Sequence, residues 1–218
     1  AIGAFIYPGY SAYGNGYFSD VRLIKGNALY TASFTAPTAP LTAVPGTVLL
    51  TCQSNRYVDN SVNNFTITRN GGVTIQRYSP FTPSIPVPIS YSGYFDGSGD
   101  YITAPSNAAF DFGSGDFTIE MWVNPSSHPS ETLPISRVYD GSGNYSFAAY
   151  FTSGTVRFLY NGLTTISTST VLSLYTWSHI AYVRSGTTLT IYVNGVSAGS
   201  GTISGSITAS SYAVGVGA

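Results

Sequence analysis

The run Phe117-Thr118-Ile119-Glu120-Met121-Trp122-Val123 sets four apolar side chains (Phe117, Ile119, Met121, Val123) on one side of an extended backbone. Thr118, Glu120 and Trp122 fall on the other. A period of two marks a sheet strand with one buried face. Strand-like runs recur at 1–4 (AIGA), 17–24, 47–52, 59–68 (a turn and strand), 73–76, 101–103, 133–139, 145–152, 155–160, 164–168, 174–184 (after a short approach) and 188–193. Asp-Gly, Asn-Gly and Ser-Gly turn signals separate many of them. Alternation breaks at Ser19-Asp20, which leaves room for a bulge. No segment carries a helical period, and Asn107 to Phe112 offers at most one short turn. The chain reads as all-β.

Charge narrows the function classes. Charged residues make up 8% of the 218 residues, against about 25% in an average domain. Aromatic residues at 15% exclude a disordered tail. The net charge is −1, Lys25 is the sole lysine and the basic residues are scattered, so neither nucleic acid nor an anionic membrane has an electrostatic footprint to meet. No run approaches the ~20 apolar residues of a membrane span. A single cysteine, Cys52, excludes an internal disulfide framework and reads as a small buried hydrophobe. With no initiating Met and no signal pattern, Ala1 reads as the start of a processed or internal piece.

Two blocks carry a family resemblance: GYFDGSGDYI with FDFGSGDFTIEMWV at 93–123, and WSHIAYVRSGTTLTIYVNGV at 177–196. They resemble the LamG-like, concanavalin A-like lectin/glucanase jelly-roll family, in the repeat type found in phage and bacterial surface proteins. The resemblance implies a two-sheet antiparallel jelly-roll β-sandwich at a cell, virion or extracellular surface. It also makes the order of parts unusual. GYFSDVRLIKGNALYTASF at 16–34 matches the family's closing strand, yet it comes first. The expected organisation is therefore closing strands at 1–36, a proline-rich linker at 37–46 and a LamG-like sandwich at 47–218. AIGA at the start echoes GVGA at the end. Three arrangements fit: one frame of a tandem array, a subunit lending its first strands to a neighbour, or a circular permutant whose ends meet in one sandwich. The repeated element favours the first two, with copies of the chain or adjacent repeats as partners through the terminal strands.

The candidate chemistry is sparse. Jelly-roll hydrolases need carboxylates on either side of the scissile bond, and the only glutamates are Glu120 and Glu131. Glu120 stands alone on its strand and reads as a solvated or groove-bonded residue. His128 and His179 sit in no nucleophile motif and make no zinc site. The expectation is a non-enzyme. Calcium is the one metal to consider, because Asp96 and Asp100 neighbour glycines in a loop where hard oxygen ligands converge. For sugar contact, the resemblance places Trp122, Tyr139, Asn144, Tyr145, Tyr150, Tyr160 and Asn161 around a concave sheet. The leading expectation is a structural or adhesion module that contacts glycans, and the alternative is a calcium-assisted lectin. Trp177 and His179 share a face opposite Ile180 and Tyr182 by parity, and a core Trp177 would cost roughly 3–5 kcal/mol on truncation to alanine.

Overall fold

The computed structural model describes residues 13–81, 90–138, 145–162 and 164–217. The expected AIGA strand lies outside them, as does most of 80–89, a stretch with four prolines that its sequence marks as non-ladder. The described residues form two antiparallel sheets facing one another. Strands are numbered in chain order. The eight-stranded sheet runs β14 (Val196–Thr202), β13 (Thr188–Val193), β12 (Ser178–Ser185), β7 (Phe117–Pro125), β1 (Asn15–Lys25), β5 (Ser92–Asp96), β4 (Thr74–Gln76), with β2 (Thr47–Thr51) also on β1. The seven-stranded sheet runs β11 (Thr164–Val171), β10 (Thr155–Tyr160), β9 (Tyr145–Thr152), β8 (Thr132–Val138), β15 (Val214–Val216), β6 (Tyr101–Ala104), β3 (Thr68–Asn70). The one described helical turn is a 3₁₀ turn at Ala108–Phe110, capped by the Asn107 side chain, which accepts from the Ala109 amide at 2.8 Å.

Alternation builds the core. Phe117, Ile119, Met121 and Val123 of β7 point inward with Ile180 and Tyr182 of β12 and Leu189 and Ile191 of β13. From the other sheet, Phe147, Ala149 and Phe151 of β9 meet them with Val156, Phe158 and Tyr160 of β10. Rings bridge the layers: Phe158 lies 5.8 Å from Phe117 and 5.6 Å from Tyr182. These are the inner faces of a sandwich closed by interdigitation.

Tyr182 is fully buried, and its hydroxyl has no hydrogen-bond partner among the described residues. Burial pushes its pKa well above the ordinary phenol value. An unpaired buried hydroxyl is a cost to folding. Tyr182→Phe is therefore expected to be neutral or to stabilise by about 1 kcal/mol. Urea denaturation checks this, and a clear loss of stability would mean that the hydroxyl is satisfied after all.

β1 lies inside its sheet. β7 takes one of its edges. β5 takes the first part of the other, at Asn15–Phe18, and β2 the later part, at Val21–Ile24. The Gly14 amide also donates to the Gly217 carbonyl at 3.0 Å, so the entry to β1 and the exit from β15 are neighbours in one chain.

Candidate functional site: the outer face of the eight-stranded sheet

The outer face is organised by a bulge in β1. Ser19 pairs with Trp122 and Arg22 with Glu120, so three steps on β1 match two on β7. Asp20 absorbs the extra residue at φ 54, a left-handed conformation that aspartate tolerates better than most residues. The bulge resets the parity of β1 and sets Arg22 beside Glu120 on the outward side.

Glu120 is outward by parity yet 0% exposed, so it is not the solvated residue its sequence setting allowed. Its Oε1 accepts from Arg22 Nε at 2.9 Å and Nη2 at 2.5 Å. Its Oε2 accepts from the Tyr30 hydroxyl at 2.9 Å and lies 3.1 Å from His179 Nε2. Burial opposes its charge, but the His179 hydrogen bond and the Arg22 guanidinium outweigh burial and hold the carboxyl below its ordinary range. Four contacts occupy its two oxygens, which leaves it poorly placed to exchange protons with a substrate.

Residues 26–46, the expected linker among them, form the cover. They leave β1, cross the outer face and return to β2 in the same sheet. The Leu29 amide donates to Thr118 Oγ1 at 2.9 Å, and the Phe34 amide to the Gly195 carbonyl at 2.9 Å. On the return the Leu41 amide donates to Asp20 Oδ1 at 2.7 Å, and Arg22 Nη1 to the Thr42 carbonyl at 2.5 Å. Tyr30 and Phe34 stack at 3.6 Å and pack with Ala28 against Ala181, Val183 and Tyr192. Phe34 stands edge-on to His179 at 5.7 Å. Gly195 permits the close approach, because a methyl group there would run into the Phe34 carbonyl.

Beyond the strap the same face is aromatic. Tyr17 lies 4.7 Å from Tyr78, 4.9 Å from Tyr94 and 6.4 Å from Trp177. Tyr78 lies 5.4 Å from Trp177, and its hydroxyl accepts from Asn124 Nδ2 at 3.0 Å. Trp122 joins this wall to the buried cluster, 5.3 Å from His179 and 5.8 Å from Phe81. Tyr17, Tyr94, Trp122 and Trp177 are half-buried and Tyr78 is exposed. Tyr175, two residues before Trp177, is 71% exposed and held at φ 56, a strained conformation for an aromatic residue.

The residues expected at a sugar site scatter. Trp122 belongs to the wall. Tyr145 and Tyr150 pack with Leu133, Ala148 and Leu159 in a cluster of the other sheet. Tyr160 is a core residue, its hydroxyl donating to the Thr202 carbonyl at 3.2 Å. Asn161 sits in a turn at φ 48 and ties down the loop after β14 through Ser206 and Thr208. Tyr139 and Asn144 lie outside the described residues. Sequence reading missed Tyr17 and Tyr78 as partners of Trp177, and Tyr94 as a neighbour of Tyr17. Tyr17 and Tyr94 carry outward parity in β1 and β5 and Tyr78 follows β4, and none of this says who neighbours whom.

The expected calcium pair holds hairpins instead. Asp100 is buried, with Oδ1 accepting from the Gly72 amide and Oδ2 from the Asp96 amide at 3.1 Å. Asp96 Oδ1 accepts from the Ser98 amide at 2.7 Å in an Asx turn. Among the described residues no three His, Cys, Asp or Glu side chains cluster for a metal. Cys52 is free and buried, with burial, then Asp20, pushing its thiol up to about 12. His128 lines a small crevice with Phe18, Phe151 and Leu172.

A family model described as the concanavalin A-like lectin/glucanases superfamily matches residues 96–218, more than half of the chain. The chain belongs to that superfamily. Glu120, Trp122, Trp177 and His179 fall within the superfamily match, whereas Arg22, Tyr30 and the strap precede it. Among solved structures, the chain is similar to the binding domain of botulinum neurotoxin DC in complex with SialylT, at 16% identity and a TM-score of 0.53. The alignment covers 78% of this chain and 42% of that one, so this chain spans less than half of the toxin chain. At that identity the likeness is one of fold. The alginate lyase AlgAT5 of polysaccharide lyase family 7 aligns over 91% of this chain and 82% of its own, at 13% identity and a TM-score of 0.38. No curated protein matches the chain in sequence. Among the described residues no helix is long and apolar enough to cross a membrane.

Proposed function

We propose that this chain is a non-catalytic adhesion module, displayed on a surface or secreted, that binds glycans on the aromatic wall of its eight-stranded sheet. The observation that carries the reading is the convergence of Tyr17, Tyr78, Tyr94 and Trp177, with Trp122 and Asn124, on one outward face. Aromatic faces bury the apolar C–H face of a sugar ring, while amides and hydroxyls at their rim meet its hydroxyls. The scarcity of surface charge suits a neutral, hydroxyl-rich ligand. The superfamily contains lectins, and a fold neighbour was solved with SialylT. Both support the ligand class.

The non-catalytic part rests on Glu120, whose oxygens are engaged beneath the strap. The placement of β1 between strands of its own chain supports a self-contained sandwich, in which β1 and the segment after it, to residue 36, serve the domain built by the residues from 47 onward. Display in an array remains compatible with this, each copy closing its own sheet.

A glycan array tests the proposal. The wild-type protein is expected to retain a defined subset of glycans, and Trp177→Ala and Tyr94→Ala are each expected to weaken retention by about tenfold or more. Because Trp177 is half-buried on the outward face, its truncation is expected to cost about 1–2 kcal/mol of stability, below the core range. Unchanged retention in both variants would remove the wall from the binding reading.

A further inference from the structure

Tyr78 differs from the rest of the aromatic wall. Tyr17 and Tyr94 stand on the paired strands β1 and β5, and Trp177 leads directly into β12. Tyr78 follows β4 and belongs to no strand. At 42% exposed it is also the most accessible ring of the group. It lies against two other rings at once. It meets Tyr17 edge-on at 4.7 Å and Trp177 at 5.4 Å with a tilt of 38°. Its hydroxyl accepts from Nδ2 of Asn124, a side chain only 1% exposed.

A bound sugar ring would make the same set of contacts. Its apolar face would pack on aromatic side chains, and a hydroxyl would accept from a buried amide. As a partner for this site, however, Tyr78 is incomplete. Trp177 Nε1 is closed off from water and has no hydrogen-bond partner, and an unpaired buried donor is a cost. A tyrosine brings one hydroxyl, already spent on Asn124. A saccharide ring carries several, so it can hold the Asn124 amide and keep an acceptor for the indole. No charged group takes part in these contacts, which suits an uncharged ring.

The backbone beneath Tyr78 is tied down, whereas its side chain is not enclosed. Gln76 of β4 pairs with Ser92 of β5, and Ser92 Oγ donates to the Tyr78 carbonyl at 2.5 Å. A change of rotamer takes the ring off Tyr17 and Trp177 without moving either strand, and such flips are fast for exposed side chains.

We propose, resting on the glycan reading of the wall, that Tyr78 is a placeholder for the ligand. Its ring fills a saccharide subsite bounded by Tyr17, Trp177 and Asn124, and an uncharged sugar ring binds there by displacing it. Apparent affinity is then set by the fraction of molecules in which Tyr78 stands clear.

The test runs one glycan array on the wild-type protein, Tyr78→Ala, Tyr78→Phe, and Tyr78→Ala combined with Trp177→Ala. Lactose, maltose, cellobiose and N,N′-diacetylchitobiose are among the probes. Tyr78→Ala is expected to retain the same glycans as the wild-type protein about tenfold more tightly, the gain if the ring stands clear in about one molecule in ten. Tyr78→Phe releases Asn124 but keeps the ring, and should gain less. The double variant should lose the gain, because Trp177 is a wall of the subsite. Weaker or unchanged retention by Tyr78→Ala would overturn the placeholder, while retention by the wild-type protein would leave the glycan reading standing. A gain that survives the loss of Trp177, or that spreads to every glycan, would mark nonspecific adhesion to bared rings and would overturn it as well. Retention by none of the proteins would end both readings.

Discussion

Glu120→Ala is expected to destabilise the sandwich by about 3–5 kcal/mol, the range for removing one partner from a buried ion pair. The substitution strands Arg22, which is 4% exposed, and takes the acceptor from both Tyr30 and His179. The damage should be directional. Tyr30 is the strap's hydrogen-bonded tie to this carboxylate, so residues 26–46 should gain hydrogen exchange first, at Leu29 and Phe34, whose amides bond to Thr118 and Gly195. Glu120→Gln keeps the volume and one acceptor oxygen and should cost less. The pH dependence separates charge from shape. The folded Glu120 carboxyl sits below its ordinary value of 4.5, so its contribution is fully present above that value and is lost as pH falls through the folded pKa. Asp20 runs the other way. Burial raises it above 3.8, so its contribution to stability increases on acidification. Comparing the wild-type protein with Glu120→Ala cancels the Asp20 contribution, and the difference between them should shrink as pH falls below about 4.5. A difference that holds constant through acid would mean that Glu120 acts through packing and not through its charge.

Much of the sandwich was legible because strands advertise themselves locally. The alternation in 117–123, the room for a bulge at Ser19-Asp20 and the shared outward face of Trp177 and His179 all follow from neighbours in sequence, and the structure places them so. Tyr160 was misplaced although its signal was present. It shares parity with Val156 and Phe158 in β10, both core residues, and that parity puts it inside. The aromatic wall was not legible in the same way. Its members come from β1, from the segment after β4, from β5 and from the approach to β12, and only the pairing of β1 with β5 and β7 brings them together. Arg22 and Glu120 are 98 residues apart in sequence. The strap was hidden for another reason. Three prolines and no alternation read correctly as non-strand, but its attachments are side-chain acceptors on strands already assigned (Thr118, Glu120, Asp20), and periodicity does not report such bonds.

Arg137→Met is expected to cost a comparable 3–5 kcal/mol, for reasons that separate structural from unpaired cations. Methionine replaces most of the stem volume, so the loss is mainly in hydrogen bonds. Arg137 Nε donates to the Tyr212 carbonyl at 3.0 Å, Nη1 to Asp111 Oδ1 at 2.6 Å, and Nη2 to the carbonyls of Asn107, at 3.2 Å, and Ser210. The guanidinium also lies 5.8 Å from the Phe110 ring centroid. One side chain on β8 thus anchors both the 3₁₀ turn and the loop that leads into β15. Without it three carbonyls and a carboxylate each lose a donor, and amides of Val214–Val216 and the 3₁₀ turn should exchange faster than the rest of the seven-stranded sheet. Urea denaturation gives the total, and hydrogen exchange gives the location. Arg157 sits two strands away in the same sheet and has no partner to lose. Arg157→Gln should therefore change stability by less than about 1 kcal/mol. If the two substitutions cost the same, the distinction between a cation held by the fold and one without a partner would collapse.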